Sequence, residues 1–152
     1  MNAELDRLLS SLAADTPQHE ALRRRFGLLC VRRVEHFLEQ AAVIDVLSRF
    51  AALVEGGAPP EVFAPLAAEA GDLARRHEGS RSLDGAGHAA VSATYACAAA
   101  VAGRARQAAE YAAYAAVYGE GGYGATSDPR SFEPEQAWQA EQLRRLLDGG
   151  RP

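Results

Sequence analysis

The fold is decided by residues 86–118, which read AGHAAVSATYACAAAVAGRARQAAEYAAYAAVY. Sixteen of these 33 residues are alanine, which has the highest helix propensity and almost no side-chain entropy to lose. Gly103 and the arginines beside it divide the stretch, so we expect two helices, over about 86–102 and 104–118. Because alanine is small, two such helices can pack closely, and the stretch predicts an alanine-rich hairpin at the centre of the domain.

The rest of the chain also carries helical signals and contains no alternating Val/Ile/Thr-rich run of strand length. Further helices are expected at about 3–14, 17–39, 41–55, 60–78 and 134–148. Pro65 falls inside the fourth of these segments, so that helix either begins later or kinks there. The expected fold is all-α, a compact bundle of about seven helices.

Two glycine-rich stretches interrupt the helical pattern, at 79–87 and 119–134. We expect both to be loops, and a loop as long as the second is often functional. The length of 152 residues suits a single helical domain over 1–152, in which 1–15 could form a peripheral N-terminal helix.

Composition limits the function classes. The chain has 16 arginines, no lysine and 20 acidic residues, and a net charge of −4 argues against nucleic acid as the main partner. Residues 86–103 carry no charged side chain, but nine of these 18 residues are alanine, so no membrane association is expected. The first residues have acids where a signal peptide needs a basic region, and a cytoplasmic location is expected.

The chain shows no recognisable motif for catalysis or metal binding. No histidine has a glutamate three residues before it, as a helical di-iron site requires, and no Gly-x-Ser-x-Gly elbow occurs. Cys30 and Cys97 are far apart in the sequence, and we expect each to be a buried apolar residue rather than half of a disulfide. We therefore expect no enzyme, no cofactor and no metal.

One polar stripe leaves an alternative open. His88, Ser92 and Tyr95 share a helix face, which fits either a satisfied polar seam between helices or the pocket of an enzyme.

Five arginines lie on the second predicted helix: Arg23, Arg24, Arg25, Arg32 and Arg33. They could grip an acidic partner or a phosphate. Interleaved glutamates at helical spacing favour a solvated, paired face instead.

Residues 110–141 are the most acidic part of the chain. Six acids and one arginine give them a net charge of −5, and six Tyr, Phe and Trp residues are interleaved. Acidic charge steers a basic partner, while exposed aromatic rings anchor one. The residues expected to bind a partner are Glu110, Tyr114, Tyr118, Glu120, Tyr123 and Asp128. The alternative is that the aromatic residues pack this segment onto the domain.

Several motifs in order carry a family resemblance. They are CVRRV at 30–34, VLSRFA at 46–51, EGG at 55–57, GHAA at 87–90, AAEYAAYA at 108–115, FEPE at 132–135 and the Trp138-Gln139 helix through Leu143. Together they resemble the helical immunity proteins of bacterial polymorphic toxin systems, the fifth immunity family and its relatives. The resemblance covers about residues 28–147, and the Trp-Gln helix is its most specific part.

This resemblance implies a cytoplasmic helical protein that binds and neutralises a cognate toxin domain and is not an enzyme. It transfers no functional residues to this chain. A toxin recognised by the acidic segment would carry a basic surface. A helical protein-binding scaffold or regulator unrelated to toxins, similar to a tetratricopeptide module, is the alternative. An exposed alanine- and tyrosine-rich hairpin would also favour a homodimer.

Overall fold

The computed structural model describes residues 1–77 and 86–149, except for the side chain of Ala86. Every regular element in those residues is helical, which confirms the all-α prediction. The α-helices are α1 (Ala3–Ser10), α2 (Pro17–Val34), α3 (Ala41–Glu55), α4 (Ala64–Arg76), α5 (Ala86–Val101), α6 (Ala105–Thr126) and α7 (Glu133–Leu147). Short 3-10 helices lie at Glu35–Phe37, Pro60–Phe63 and Pro129–Phe132. Of the loop predicted at 79–87, residues 79–85 lie outside the described residues.

The first helices begin at side-chain caps. The Asn2 side chain accepts a hydrogen bond from the Leu5 amide at 3.0 Å, and the Thr16 hydroxyl accepts one from the His19 amide at 3.1 Å. Each cap satisfies a backbone N–H that the first helical turn leaves free, which contributes about 1 kcal/mol. Pro17 then occupies the first position of α2, where a missing N–H costs nothing.

The observed bounds of α2, α3 and α4 agree only in part with the predicted ones. The bounds of α3 agree with those predicted at 41–55, and Gly56 follows its last residue. The fourth helix begins at Ala64 with Pro65 in its first turn, so the helix starts later than 60 and is not kinked by this proline. The second helix ends at Val34, five residues before its predicted end, where the chain tightens into a 3-10 turn.

The alanine-rich hairpin of α5 and α6 lies at the centre of the bundle, as predicted. The two helices pack along each other, α2 packs against both of them, and α4 covers α5. The fully buried alanines of these two helices are Ala89, Ala93, Ala96, Ala100, Ala108, Ala109 and Ala115. Where α2 crosses α5, a Cβ on Gly27 would lie only 2.9 Å from the Cβ of Ala100. The central helices therefore meet almost backbone to backbone.

The N-terminal helix belongs to the core, although the sequence allowed it a peripheral position. Leu5 and Leu9 of α1 are buried, as is Leu12 just after it, and α1 packs against α7. Arg144 of α7 donates to the Glu4 carboxylate at 2.6 Å, an exposed ion pair worth little by itself. Burial of the leucines, about 1.5–3 kcal/mol for each side chain, is therefore the main force that holds α1 in place.

The prediction of a long irregular segment at 119–134 is wrong. The chain stays helical to Thr126, except at Gly122, where φ is 63° and ψ is −153°. A 3-10 turn over Pro129–Phe132 then leads directly into α7. A Cβ at Gly119 would overlap the Phe37 ring, so that glycine is a packing site rather than a helix breaker.

The arginines of α2 are only partly the solvated face that their glutamate neighbours predicted. Arg23 donates to the Leu12 carbonyl at 2.6 Å and to the Gly103 carbonyl at 3.1 Å, so it ties two chain turns to α2. Arg24 is buried. Arg33 forms an ion pair at 3.0 Å with Glu135 of α7. These side chains therefore form tertiary contacts with residues that are distant in the sequence.

In residues 1–77 and 86–149, no helix is both long and apolar enough to cross a membrane.

Candidate functional site

Tyrosine side chains cover the outer side of the central hairpin. Tyr111, Tyr114 and Tyr118 follow a three- and four-residue spacing on α6, so they share one face of that helix. The alanines between them face inward and are buried. The alanines therefore let α5 and α6 pack closely, while the tyrosine rings lie on the outer side of the hairpin.

These rings form what we define as the aromatic surface: His88, Tyr95, Tyr111, Tyr114, Tyr118, Tyr123 and Phe132. Ring contacts link five of them, and Tyr95 and Tyr111 form a separate stacked pair. The His88 ring stacks on Tyr118 with centroids 5.2 Å apart and meets Tyr123 edge-on at 5.1 Å. Tyr114 lies 6.1 Å from Tyr118 and meets Phe132 edge-on at 5.0 Å. Such pairs contribute about 0.5–1.5 kcal/mol beyond their buried area, so each ring is held in place by its neighbours.

Tyr95 of α5 and Tyr111 of α6 form the other pair on this surface. Their rings stack with centroids 5.3 Å apart. Of the polar stripe that the sequence singled out, His88 and Tyr95 therefore both lie in ring contacts with α6 or its C-terminal end. Ser92, between them on α5, is half-buried.

Several rings are held firmly and yet remain in solvent. The exposed fraction is 38% for Tyr111, 44% for Tyr114 and 43% for Tyr123. The positive φ of Gly122 turns the chain just before Tyr123, which lets that side chain reach the His88 ring. Ordered, half-exposed tyrosines lose little conformational entropy when a partner covers them.

The acidic residues of 110–141 divide into two groups. Asp128, Glu135 and Glu141 form ion pairs, with Arg130 at 3.0 Å, Arg33 at 3.0 Å and Arg145 at 2.7 Å. Glu110, Glu120 and Glu133 are exposed, and none of them forms an ion pair within the described parts of the chain. Three of the six acids therefore carry the unpaired negative charge of this region.

The sequence-predicted acids do not all reach the aromatic surface. Glu110 lies one helical turn before Tyr114 and belongs to it. Glu120 lies two residues after Tyr118, about 200° around the helix. The pKa of Arg33 on α2 is raised first by its side-chain hydrogen bond to Glu135, and the charge of Glu120 adds to that shift. Asp128 accepts hydrogen bonds from the side chain and the backbone N–H of Arg130, which lower the pKa of that carboxyl. Asp128 therefore caps the following 3-10 helix.

Two clefts flank Glu110 and Tyr114, and both residues line each of them. The first cleft, of about 430 Å³, lies between α6, α7 and the chain start, with Phe132 and Gln139 in its wall. The second, of about 660 Å³, lies between α4, α5 and α6, with Tyr111 in its wall. Glu110 and Tyr114 thus form a ridge between two hollows, a shape that a complementary protein surface can grip.

The sequence did not reveal the first cleft. Gln139 is buried and donates to the Ala109 carbonyl at 2.9 Å, while Gln136 accepts from the Asn2 amide at 2.9 Å. These bonds join α7 to α6 and to the N-terminus, 134 residues away in the case of Gln136. No local pattern predicts contacts between residues so far apart in the sequence. The Trp138-Gln139 motif does contain Gln139, which makes the contact with α6.

The cysteines are buried, as predicted, and are poorly suited to nucleophilic chemistry. Burial raises the pKa of the Cys30 thiol and raises that of Cys97 to about 12. Both stay protonated at neutral pH, whereas the nucleophile is the thiolate. Among the described residues, no group of three or more His, Cys, Asp or Glu side chains is placed to hold a metal ion.

Comparison of the chain with models of known protein families, with curated proteins and with solved structures gives no match in any of the three.

Proposed function

We propose that this protein binds a basic partner protein through its aromatic surface and Glu110, and that it is an immunity protein that neutralises a cognate toxin domain. The observation that carries the binding proposal is the ridge of Glu110 and Tyr114, with its ordered, half-exposed ring neighbours and a cleft on each side. The toxin as partner rests on the family resemblance of the sequence motifs.

The chemistry of the ridge suits a protein partner. Tyrosine supplies a large, rigid contact area with a hydroxyl that remains able to hydrogen-bond, and it is enriched among residues that dominate binding energy. Glu110 carries a charge without an ion-pair partner in the described structure, so an arginine or lysine of the partner would not have to displace an existing pair. An immunity protein seated there would neutralise its toxin by covering basic toxin residues.

The proposal is tested by co-expressing the chain with a toxin domain encoded beside it and measuring the affinity of the purified pair by calorimetry. Tyr114→Ala should weaken binding by about 2 kcal/mol, or about 30-fold, as expected for a central ring. Ile44→Ala is the matched control, because Ile44 lies on α3 and is similarly exposed, at 49%. We expect it to leave the affinity unchanged.

A charge reversal at Glu110 measures the electrostatic contribution to association separately from the contacts of the rings. Glu110→Lys should slow association about tenfold at low salt and reduce its salt dependence, whereas Glu61→Lys, an exposed site near the start of α4, should not. Unchanged toxin binding by both Tyr114→Ala and Glu110→Lys would reject the aromatic surface as the binding site. Tight binding of a host protein but of no toxin would favour the scaffold alternative.

A further inference from the structure

A separate cleft lies between α2 and the connection from α3 to α4, and it shares no residue with the aromatic surface. Its volume of about 700 Å³ falls in the range of about 300–1,000 Å³ that is usual for small-molecule sites. The apolar part of its lining includes Leu28 and Leu29 of α2, Val54 of α3 and Phe63. The cleft could therefore bury the apolar body of a small ligand.

Arg24 is one of the residues that line this cleft. The residue is only 9% exposed, and its guanidinium carbon lies 4.4 Å from the centroid of the Phe63 ring. Nε donates to the Val101 carbonyl at 3.1 Å, whereas Nη1 is buried and has no hydrogen-bond partner in the described structure. Burial lowers the pKa of this guanidinium, but an arginine remains a cation at neutral pH. A buried cation with an unused donor is costly unless an anion or another acceptor meets it.

The charges around the cleft have the sign that an anion requires. Arg24, Arg25 and Arg32 line it, against the single acid Glu55, so its lining is positive in a chain whose net charge is −4. Arg25 is exposed, and Arg32 is held by Glu35 at 2.9 Å. The adjacent residues Arg24 and Arg25 thus bring two positive charges to a cleft with apolar walls.

We propose that this cleft binds a small amphipathic monocarboxylate. Its carboxylate accepts hydrogen bonds from Arg24 and Arg25, and its hydrocarbon body lies along Leu28, Leu29 and Val54. A carboxylate suits the site because it matches the planar fork of a guanidinium. A more highly charged anion would gain little from the apolar walls and would be repelled by Glu55.

The test titrates the full chain with octanoate and follows binding by calorimetry and amide NMR shifts. 1-Octanol, which has the same hydrocarbon body, and acetate, which has the same charged group, are the ligand controls. Octanoate should bind at least about tenfold more tightly than either control, because only it satisfies both the cation and the walls. The largest shifts should fall on α2 near residues 24–29.

Variants locate the site. Arg25→Gln should weaken octanoate binding about three- to tenfold, while Arg7→Gln, which removes an exposed charge from α1, should not change it. Arg24→Gln should weaken it more than tenfold, provided that the variant folds. Ala21→Trp places a large ring in the cleft from an exposed helix position and should abolish binding even if Arg24→Gln does not fold.

Three results would overturn the proposal. Equal affinity for octanoate and 1-octanol would show that the cation plays no part in binding. Octanoate affinity unchanged in both Arg25→Gln and Ala21→Trp would place the ligand elsewhere. Binding of an acidic hexaglutamate peptide, without any binding of octanoate, would make the cleft a protein-docking surface.

Discussion

Replacement of Gly27 by alanine tests the close approach of α2 and α5 at the centre of the bundle. In an exposed helix the change would stabilise the protein by about 0.8–1 kcal/mol, because alanine has the better helix propensity. At Gly27, however, the new Cβ would lie 2.9 Å from the Ala100 Cβ and 3.1 Å from its Cα. Ordinary contact between such carbon atoms needs about 3.5–4.0 Å, so the two helices would have to separate.

The magnitude follows from two opposing terms. Overpacking of a well-packed core costs about 1–3 kcal/mol, against a helix-propensity gain of about 1 kcal/mol. We therefore expect Gly27→Ala to lower the free energy of unfolding by up to about 2 kcal/mol. Gly71→Ala on α4 is the matched control, since its Cβ would meet only the end of the Arg75 side chain, at 3.3 Å. That variant should gain about 0.5–1 kcal/mol.

Urea unfolding followed by circular dichroism measures both variants. The difference between them should be about 0.5–3 kcal/mol, with the slope of the free energy against urea unchanged. Equal stabilisation by the two substitutions would refute the close helix contact at Gly27, because helix propensity alone would then explain both.

Three further outcomes follow from buried or paired groups. Cys30 and Cys97 should not react with a thiol reagent at pH 8 in the native protein and should react once urea unfolds it, since burial raises the pKa of both thiols; rapid native reaction would contradict this. Glu135→Ala should cost about 1–2 kcal/mol of unfolding free energy, between the values for surface and buried ion pairs, because Arg33 loses its partner; a melting temperature equal to that of the wild type would show that the pair contributes nothing. The pKa of Asp128 is lowered in the folded state, so the contribution of this carboxylate to stability is present above its unfolded pKa and is lost as the pH falls through its folded pKa. A carboxyl NMR titration should place the folded pKa below about 3.9. A higher value would contradict the hydrogen bonds from Arg130.

Local signals predicted the parts of the fold that local chemistry determines. The third helix has its expected bounds because an apolar stripe over 41–55 ends at Gly56-Gly57. The alanine hairpin was predicted because helix propensity and small side chains point to the same result at the same positions.

The segment from Gly119 to Tyr123 shows why the sequence misled. Each glycine there lowers the propensity for helix, so the sequence predicts a loop. The Phe37 ring occupies the space of a side chain at Gly119, and the contacts of Tyr123 with His88 and Tyr118 anchor the other end. These tertiary contacts offset the low propensity, and only Gly122 leaves the helical conformation.

The continuation of α6 past residue 118 also explains why only part of the candidate site was predicted. The acidic and aromatic composition of 110–141 grouped Glu110, Tyr114 and Tyr118, which do lie together, but it also included Glu120, which helical spacing carries away from them once the helix continues past 118. Phe132 joins the surface through the turn after Pro129, which no periodicity describes.

The central claim, that a basic partner covers the aromatic surface, is tested most directly by hydrogen–deuterium exchange of the chain with and without a toxin domain bound. We expect binding to slow amide exchange in peptides from 88–95 and 105–126, and to leave 41–55 unchanged. Protection confined to 41–55, with none on α5 or α6, would contradict the claim.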